Sequence, residues 1–209
     1  MTLDTTRLAP GQLAALVGSR LCHDLVSPLG AIGNGVELLE MSGEYPGIAA
    51  SAEMQLIAES VAAARARIQG FRMAFGMASG DQRVSRAELG RLVEAITGHT
   101  RLSVAVEAEG DFARAEIRML MLALMCLETA MPWGGRVLAV SRAPGWRLVA
   151  DAERTRVDAG LWGWLDSGTG GARLPTPSEV QFALLAEAAR DQARRITWEL
   201  DETGAELSF

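Results

Sequence analysis

The chain contains no lysine, so all 20 of its basic residues are arginines. A Walker A loop, the ATP-binding lysine of protein kinases and a Schiff-base lysine are therefore excluded. Asparagine is almost as scarce, because Asn34 is the only one in the sequence. A site that needs two or more asparagines to hold a metal ion or a phosphate cannot be built from this chain.

Cysteines and long apolar runs are also scarce. Cys22 and Cys126 lie far apart in different patterns and make no disulfide framework. No apolar run reaches the ~18 residues of a membrane span, and residues 1–10 lack the basic and apolar regions of a signal peptide. The net charge of −6 argues against a general nucleic-acid binder. We therefore expect a reduced, cytoplasmic protein that binds neither nucleic acid nor membrane.

Two helical patterns occupy the first third of the chain, and a turn at residues 42–47 separates them. Apolar residues recur there at steps of three or four, as on a helix with one apolar stripe. The first stripe comprises Leu13, Val17, Leu21, Leu25, Leu29, Ile32, Val36 and Leu39, and the second comprises Ala50, Met54, Ile57, Val61, Ala64, Ile68, Phe71, Phe75 and Ala78. The spacing predicts an antiparallel hairpin, and two copies would pair into a four-helix bundle. The alternative is that both stripes pack on the C-terminal domain of the same chain.

The remainder of the chain predicts a second domain of mixed type. Residues 79–84 are typical of a linker, and capping boxes at Ser85 and Thr176 begin two helices. A buried helix is predicted over 113–131, strands near 102–106, 136–142, 146–152, 196–200 and 205–209, and a surface loop over 160–175 with Trp162 and Trp164 as core or interface aromatics. The expected fold class is α+β: a hairpin domain at 1–78 forms a dimeric four-helix bundle, and an α/β sandwich follows at 85–209.

His23 stands in the run Leu21–Gly30, on the side of the first helix opposite its apolar stripe. Pro28 removes a backbone donor and its ring meets the carbonyl of Asp24, so a kink is expected beside the histidine. The face that carries His23 has only small or polar neighbours, which are Ser19, Ser27, Gly30 and Asn34. Another protein could therefore approach the imidazole closely.

These residue types suit phosphoryl transfer. A neutral imidazole is a competent nucleophile toward a phosphoryl group near pH 7. Asp24 can hold the proton on the other ring nitrogen, and Ser27 can hydrogen-bond phosphoryl oxygens or a water molecule. Two other interpretations stay open: His23 is an ordinary solvated residue, or Cys22, His23 and Asp24 bind a metal. The metal is disfavoured, because adjacent helical residues point in divergent directions.

The run His23–Leu29 resembles the phospho-acceptor motif of histidine kinase dimerisation domains. Its extension, Gly30–Leu39, is similar to the ChpT-type histidine phosphotransferases of alphaproteobacteria. The resemblance covers most of the chain, because the second domain has the order of elements of a kinase ATP-binding domain. It implies that His23 is the residue that is phosphorylated.

The kinase resemblance also specifies what an ATP site would need. It places Met125 and Thr129 where asparagines hold Mg²⁺ and phosphate, and Asn34 cannot supply either position. The strand that should end in an adenine-binding aspartate, 149–154, lacks the accompanying glycines. The string Asp166–Gly170 fits Asp-x-Gly-x-Gly, but it lies in the loop before the last helix and not at the end of a β-strand, so the match is weak evidence of an adenine site. We therefore expect a degenerate domain that does not bind ATP.

The resemblance implies a dimeric histidine phosphotransferase that moves a phosphoryl group between receiver-domain aspartates. The expected partners are response-regulator receiver domains and a hybrid histidine kinase. This chain would bind no cofactor, because the receiver supplies the Mg²⁺ and the charge-stabilising lysine. Candidate partner-binding residues are Ser19, Arg20, Val26, Gly30 and Asn34. The alternatives are a non-catalytic dimeric adaptor and an ATP-using histidine kinase with an unusual pocket.

Overall fold

A computed structural model describes residues 10–43, 45, 47–76, 82–143, 145–166 and 171–209, without the side chains of residues 10, 12, 13 and 15. Linker residues 79–81, the glycine-rich string at 167–170 and the turn residues Glu44, Pro46 and Pro144 lie outside these ranges. Among the helices within them, none combines the length and the apolar character that crossing a membrane requires.

A helical hairpin opens the structure, as the two apolar stripes predict. Helix α1 spans Pro10–Met41, and helix α2 spans Ala52–Phe75 after a 3₁₀ turn at Ile48–Ala50. The backbone N–H of Met54 donates to the Ser51 hydroxyl at 3.2 Å, which caps the start of α2. The two helices are antiparallel, because Gly18 lies against Phe75 whereas Gly33 lies against Val61.

The hairpin covers only part of its apolar surface. Cys22 and Val36 of α1 are buried against α2, and Gly33 permits a close approach, since a Cβ there would lie 2.8 Å from the Arg65 Nη1 atom. Most of the described α1 stripe stays exposed, although Leu29 is half-buried; Leu21, for example, keeps 60% of its accessible surface. The exposed members of the stripe are Val17, Leu21, Leu25, Ile32 and Leu39.

An α/β part follows the hairpin, and its elements match the predicted α+β class. In chain order they are β1 (Arg83–Val84), α3 (Arg86–Thr97), β2 (Leu102–Glu107), β3 (Phe112–Ala113), α4 (Arg114–Ala130), β4 (Gly135–Arg142), β5 (Gly145–Asp151), α5 (Ala159–Trp162), α6 (Val180–Asp191), β6 (Thr197–Leu200) and β7 (Gly204–Ser208). A five-stranded sheet has the order β2-β4-β5-β7-β6. Only its β2–β4 pair is parallel, so the sheet is mixed as expected.

Helix α4 forms the centre of the core. Ile117, Leu120, Leu124 and Leu127 are completely buried, and the helix contacts α2, α3 and α6 as well as the sheet. Each fully buried side chain of this size contributes about 1.5–3 kcal/mol relative to an exposed one. The buried helix predicted from its all-round apolar pattern is thus confirmed.

Two parts of the sequence prediction need correction. The last two residues predicted as linker form β1, which pairs with β3 in a separate two-stranded ribbon. The predicted surface loop at 160–175 instead begins within α5 and continues into a 3₁₀ turn at Gly163–Leu165. These elements span only two to four residues, too few for a hydrophobic period to show. Trp162 is buried against Phe182, with ring centroids 5.6 Å apart, as predicted for a core aromatic.

The hairpin packs directly on the α/β part. A Cβ on Gly70 of α2 would lie 2.6 Å from the Ile96 Cγ1 atom, so glycine is needed where α2 meets α3. The Arg118 Nε–H of α4 donates to the Ala74 carbonyl near the end of α2 at 3.1 Å. The C-terminal half of α2 is therefore covered by the α/β part of the same chain. For this half of the helix, the packing agrees with the alternative in which the apolar stripes pack on the C-terminal domain.

An ionic cluster ties the segment before α6 to the rest of the α/β part. The Arg173 guanidinium donates to Asp158 Oδ2 at 2.7 Å and to both Glu179 carboxylate oxygens at 2.8 Å. Glu179 is buried and also accepts from the Thr176 backbone N–H at 3.0 Å, in the capping box that the sequence predicts. The hydrogen bonds from Arg173, followed by that from Thr176, lower the pKa of Glu179 to about 2.

The depressed pKa of Glu179 predicts an acid-sensitive contribution to stability. Its ordinary value is 4.5, so the stabilisation is complete above that pH and is lost as pH falls toward about 2. We expect Glu179→Gln to lower the free energy of unfolding at pH 7 and to flatten its dependence between pH 4.5 and 2. Urea unfolding at a series of pH values measures both effects. Glu153→Gln, at an exposed carboxylate, is the control, and an unchanged pH slope in Glu179→Gln would contradict the prediction.

Candidate functional site

His23 lies on the first half of α1, and the helix continues through Pro28 without interruption. Because proline has no N–H, the carbonyl of Asp24 lacks the helical hydrogen bond that residue 28 would otherwise donate. The kink expected here stays a prediction.

The faces of α1 separate the histidine from the packing surfaces. Successive helical residues are rotated by about 100°, which places Cys22 and Val36 toward α2 and Leu21 and Ile32 on the exposed apolar side. His23 projects from a third face and keeps 81% of its side-chain surface exposed. Another molecule can therefore reach the imidazole closely along this face.

Asp24 holds the imidazole from one side. Its Oδ1 atom lies 3.1 Å from His23 Nδ1, and its Oδ2 atom accepts from the Arg20 Nε–H at 2.7 Å. Both carboxylate oxygens are thus engaged. The Arg20 contact was not part of the sequence prediction, which listed Arg20 only for partner binding. The i,i+4 spacing of an arginine and an aspartate on one helix is the signal that would have found it.

These contacts keep Asp24 ionised. The hydrogen bond with His23, followed by that with Arg20, holds the pKa of the Asp24 carboxyl below its ordinary value. An ionised carboxylate can only accept, so the Nδ1 atom of His23 must carry the proton in this contact. The Nε2 atom makes no hydrogen bond with any described residue and keeps its lone pair for a reaction. The side chains thus present one nucleophilic nitrogen to solvent.

The remaining predicted residues share the His23 face without forming a bonded cluster. Ser27, one turn beyond His23, is exposed, as is Asn34, whereas Ser19 and Val26 are half-buried. Space beside Gly30 is open, because a Cβ there would meet no atom within 4 Å. The face is therefore shallow and uncrowded, and the Ser27 hydroxyl forms no hydrogen bond with the described part of the chain. Its assistance to transfer stays a prediction.

A metal site at Cys22, His23 and Asp24 receives no support. Cys22 is only 7% exposed and faces α2, on a different side of α1 from His23. Burial raises the pKa of its thiol, an effect that the nearby Arg72 partly offsets. Within the described ranges, no group of three or more histidine, cysteine or acidic residues is arranged to hold a metal ion.

The positions of a kinase nucleotide site carry different chemistry here. Thr129 Oγ1 accepts from the Gln181 side-chain amide at 2.8 Å, and the Thr129 hydroxyl donates back to the Met125 carbonyl at 3.1 Å. Asp151, at the end of β5, pairs with Arg136 on the neighbouring strand at 2.8 Å. These groups contact one another, and Met125 has no metal-binding oxygen in its side chain. The residues present do not fit Mg²⁺–ATP bound in the kinase manner.

The family was established by comparison with known proteins. The profile described as the histidine phosphotransferase C-terminal domain matches residues 86–204, which is more than half of the chain. The chain belongs to the histidine phosphotransferase family. The matched region contains α3 to β6, so the α/β part defines the family even though His23 lies in the hairpin.

Relatives of the family were also found. The chain is 49% identical over 78 residues to the protein phosphotransferase ChpT of Brucella abortus (strain 2308), a match that covers 37% of this chain and 34% of that protein. The matched segment thus spans about a third of the curated relative.

A solved structure resembles nearly the whole chain. A bacterial phosphotransferase is 24% identical, with 98% of each chain covered and a TM-score of 0.65. This likeness shows a shared fold of hairpin and α/β domain. The histidine kinase domain of a blue-light-activated kinase from Erythrobacter litoralis is 13% identical, with 86% of this chain and 95% of that one covered and a TM-score of 0.44.

The contact between His23 and Asp24 predicts a specific tautomer. In ¹⁵N spectra of the neutral imidazole, we expect the proton of His23 on Nδ1, because Asp24 accepts it there. Asp24→Ala should move the proton toward Nε2, the site that an unconstrained histidine favours. His99 serves as the internal control, since it has no carboxylate partner among the described residues. An Nε2–H tautomer in the unmodified protein would contradict the assigned contact.

Proposed function

We propose that this protein is a histidine phosphotransferase that moves a phosphoryl group between receiver-domain aspartates through His23, without using ATP. The observation that carries the proposal is the His23 imidazole itself, exposed, with its Nδ1 held by an ionised Asp24 and its Nε2 unengaged. Membership of the histidine phosphotransferase family supports the same assignment.

The transfer step follows from this geometry. His23 Nε2 attacks the phosphorus of an aspartyl phosphate on the donor receiver, the N–P bond forms, and the bond to the aspartate oxygen breaks. The donor recovers its carboxylate, and the imidazole ring becomes positively charged while Nδ1 keeps its proton. Asp24 stabilises that charge through its contact with Nδ1. The reverse sequence on a second receiver returns His23 to its neutral form, so no proton need enter or leave the ring.

The composition of the His23 face suits a receiver as the partner. A phosphoryl group buried in another protein's active site reaches His23 only if the helix around it lacks bulky side chains. Gly30 leaves open space, and Ser19, Val26 and Asn34 are small or moderate in size. In this proposal Arg20 and these residues contact the receiver and set which receivers are accepted.

The receiver supplies the remaining chemistry in this proposal. Phosphoryl transfer needs cations that neutralise the charge on the transferring group. This chain has no lysine, so we place the Mg²⁺ and a charge-stabilising lysine in the receiver and assign no bound cofactor to this chain. The donor would belong to a hybrid histidine kinase and the acceptor to a response regulator, and both reactions would take place in the cytoplasm.

A transfer assay tests the proposal. The protein is mixed with a receiver radiolabelled at its phospho-aspartate and, separately, with labelled ATP, beside the variant His23→Gln. We expect acid-labile label from the receiver only, and none in His23→Gln, because glutamine has no nucleophilic nitrogen. Label from ATP would instead identify a kinase. An unlabelled protein that still binds receivers would identify an adaptor.

A substitution of Asp24 tests whether this residue positions the nucleophile His23. Asp24→Asn keeps the size of the side chain but removes its charge, and we expect the rate of transfer to fall by about 10²–10⁴-fold. The labelled product should remain on His23. Glu37→Gln, elsewhere on α1, should transfer at the rate of the unchanged protein. Equal rates in all three proteins would exclude the role assigned to Asp24.

The exposed apolar stripe on α1 supports a homodimer, which we include in the proposal. Large apolar side chains repeat along the helix on a side that α2 does not reach, and Ile57 of α2 is also exposed. A continuous exposed apolar surface of this kind is typical of an interface. Pairing two hairpins along it would form the four-helix bundle, with His23 of each subunit facing outward.

Ile32→Glu tests the homodimer. A charge in the middle of the stripe should shift the protein from dimer to monomer, because burying an unpaired carboxylate is costly. Light scattering after size-exclusion chromatography measures the mass. Leu38→Glu is the matched control, since Leu38 is exposed on α1 but rotated by roughly 100° from the stripe. If the unmodified protein is already monomeric at micromolar concentration, the proposed homodimer is disproved.

A further inference from the structure

A cleft of about 670 Å³ lies between α2 and the α/β part. Its walls come from the last turns of α2, the segment after α3, the C-terminal half of α4 and the 3₁₀ turn Pro177–Glu179 before α6. Cavities that hold small molecules in proteins typically measure about 300–1,000 Å³. The cleft is far from the His23 face in sequence and uses none of its residues.

One wall of the cleft is aromatic. Phe71 and Phe75 of α2 are stacked with ring centroids 5.4 Å apart, and both line the cleft. Met125 and Pro132 contribute apolar surface from the α/β part. A ligand with a flat or apolar portion could therefore bury it between the two parts of the protein.

The cleft also gathers unpaired cations. Arg67, Arg101 and Arg156 line it, and none of the three forms an ion pair or a side-chain hydrogen bond with a described residue. The Arg67 guanidinium lies 5.5 Å from the centroid of the Phe71 ring. In a chain with a net charge of −6, three guanidinium groups without a salt bridge around one cavity are a local excess of positive charge.

Acidic groups offset this charge only in part. The Glu179 carboxylate at the edge of the cleft is already bound by Arg173. The other carboxyl in the lining, Glu128, has no hydrogen bond within the described ranges. Burial raises its pKa, which the charge of Arg67 partly counters, so protonation of Glu128 is easier than for a solvated carboxyl. The cleft thus keeps an excess of positive charge.

Two of the arginines stand on fixed backbone. The Arg156 N–H donates to the Ala130 carbonyl at the end of α4 at 2.7 Å, and the Arg101 carbonyl accepts from the Gly135 N–H at 3.2 Å. These bonds hold both Cα positions against the core of the α/β part. The backbone at both positions is therefore already ordered before a ligand binds.

We propose that this cleft binds a small organic oxyanion, a phosphate ester or a polycarboxylate with a flat or apolar portion, without a metal ion. Guanidinium groups bind phosphate and carboxylate oxygens in paired hydrogen bonds, and Phe71 and Phe75 would cover the apolar portion. Met125 and Thr129 stand in the lining where a kinase-type site needs asparagines, so the arginines take over the neutralisation of charge. A bound molecule would contact α2 and the α/β part at once.

Calorimetric titration of the full chain tests this site. The probes are AMP, ATP with and without Mg²⁺, citrate and inorganic pyrophosphate, which separate phosphate esters, a polycarboxylate and an oxyanion without an apolar portion. We expect saturable binding of AMP or citrate with a Kd below about 1 mM, and weaker binding of pyrophosphate. The double variant Arg101→Gln/Arg156→Gln should weaken the tightest probe at least about tenfold.

The matched control is Arg142→Gln/Arg195→Gln, which removes the same charge from exposed positions outside the cleft. It should bind like the unchanged protein. Equal weakening in both double variants would overturn the proposal in favour of general charge attraction. It is also overturned if no probe binds saturably up to about 10 mM, or if ATP binds only with Mg²⁺. Loss of receiver binding in the cleft variant, without binding of any probe, would assign the arginines to a protein partner instead.

Discussion

The arrangement of this protein depends on how one helix, α1, divides its circumference. Each residue advances by about 100°, so a stripe repeating every three or four residues covers less than half of the surface. Val36 of that stripe packs against α2 together with the adjacent Cys22, whereas Leu21 and Ile32 of the stripe stay exposed. The third face is left for small and polar residues. His23 lies on that face, and its accessibility results from the positions of the two apolar surfaces.

The chemistry at His23 is assembled within two turns of the same helix. Arg20 and His23 both contact Asp24, and the spacing of three and four residues brings all three side chains to one side. A constellation built from one helix needs no other element to position it. The rest of the chain can therefore vary in its own chemistry as long as it keeps α1 folded and leaves this face uncovered.

The α/β part depends on an apolar core of its own. Its core is maintained by α4, which is apolar on nearly all sides, and by Trp146 and Phe182. Thr129, at one of the two positions where an ATP site of this kind would need asparagine, accepts a hydrogen bond from Gln181 instead. Burial of apolar surface is thus sufficient to maintain the sheet and helices. Direct packing of α2 on α3 and α4, at Gly70 and Arg118, joins this part firmly to the hairpin.

The sequence alone determined the helices and strands that are long enough for their apolar residues to repeat several times. The stripes of α1 and α2, the buried helix α4 and the alternating strands follow from local spacing, and the family follows from the run around His23 and the missing asparagines. Only the tertiary structure decided the rest. The pairing of β1 with β3 joins residues about 30 positions apart, and two-residue strands carry no period. The cleft arginines come from α2 and from two separate loops, so no local pattern unites them. Their proximity depends on how the chain packs, because distance in space is set by the burial of other residues.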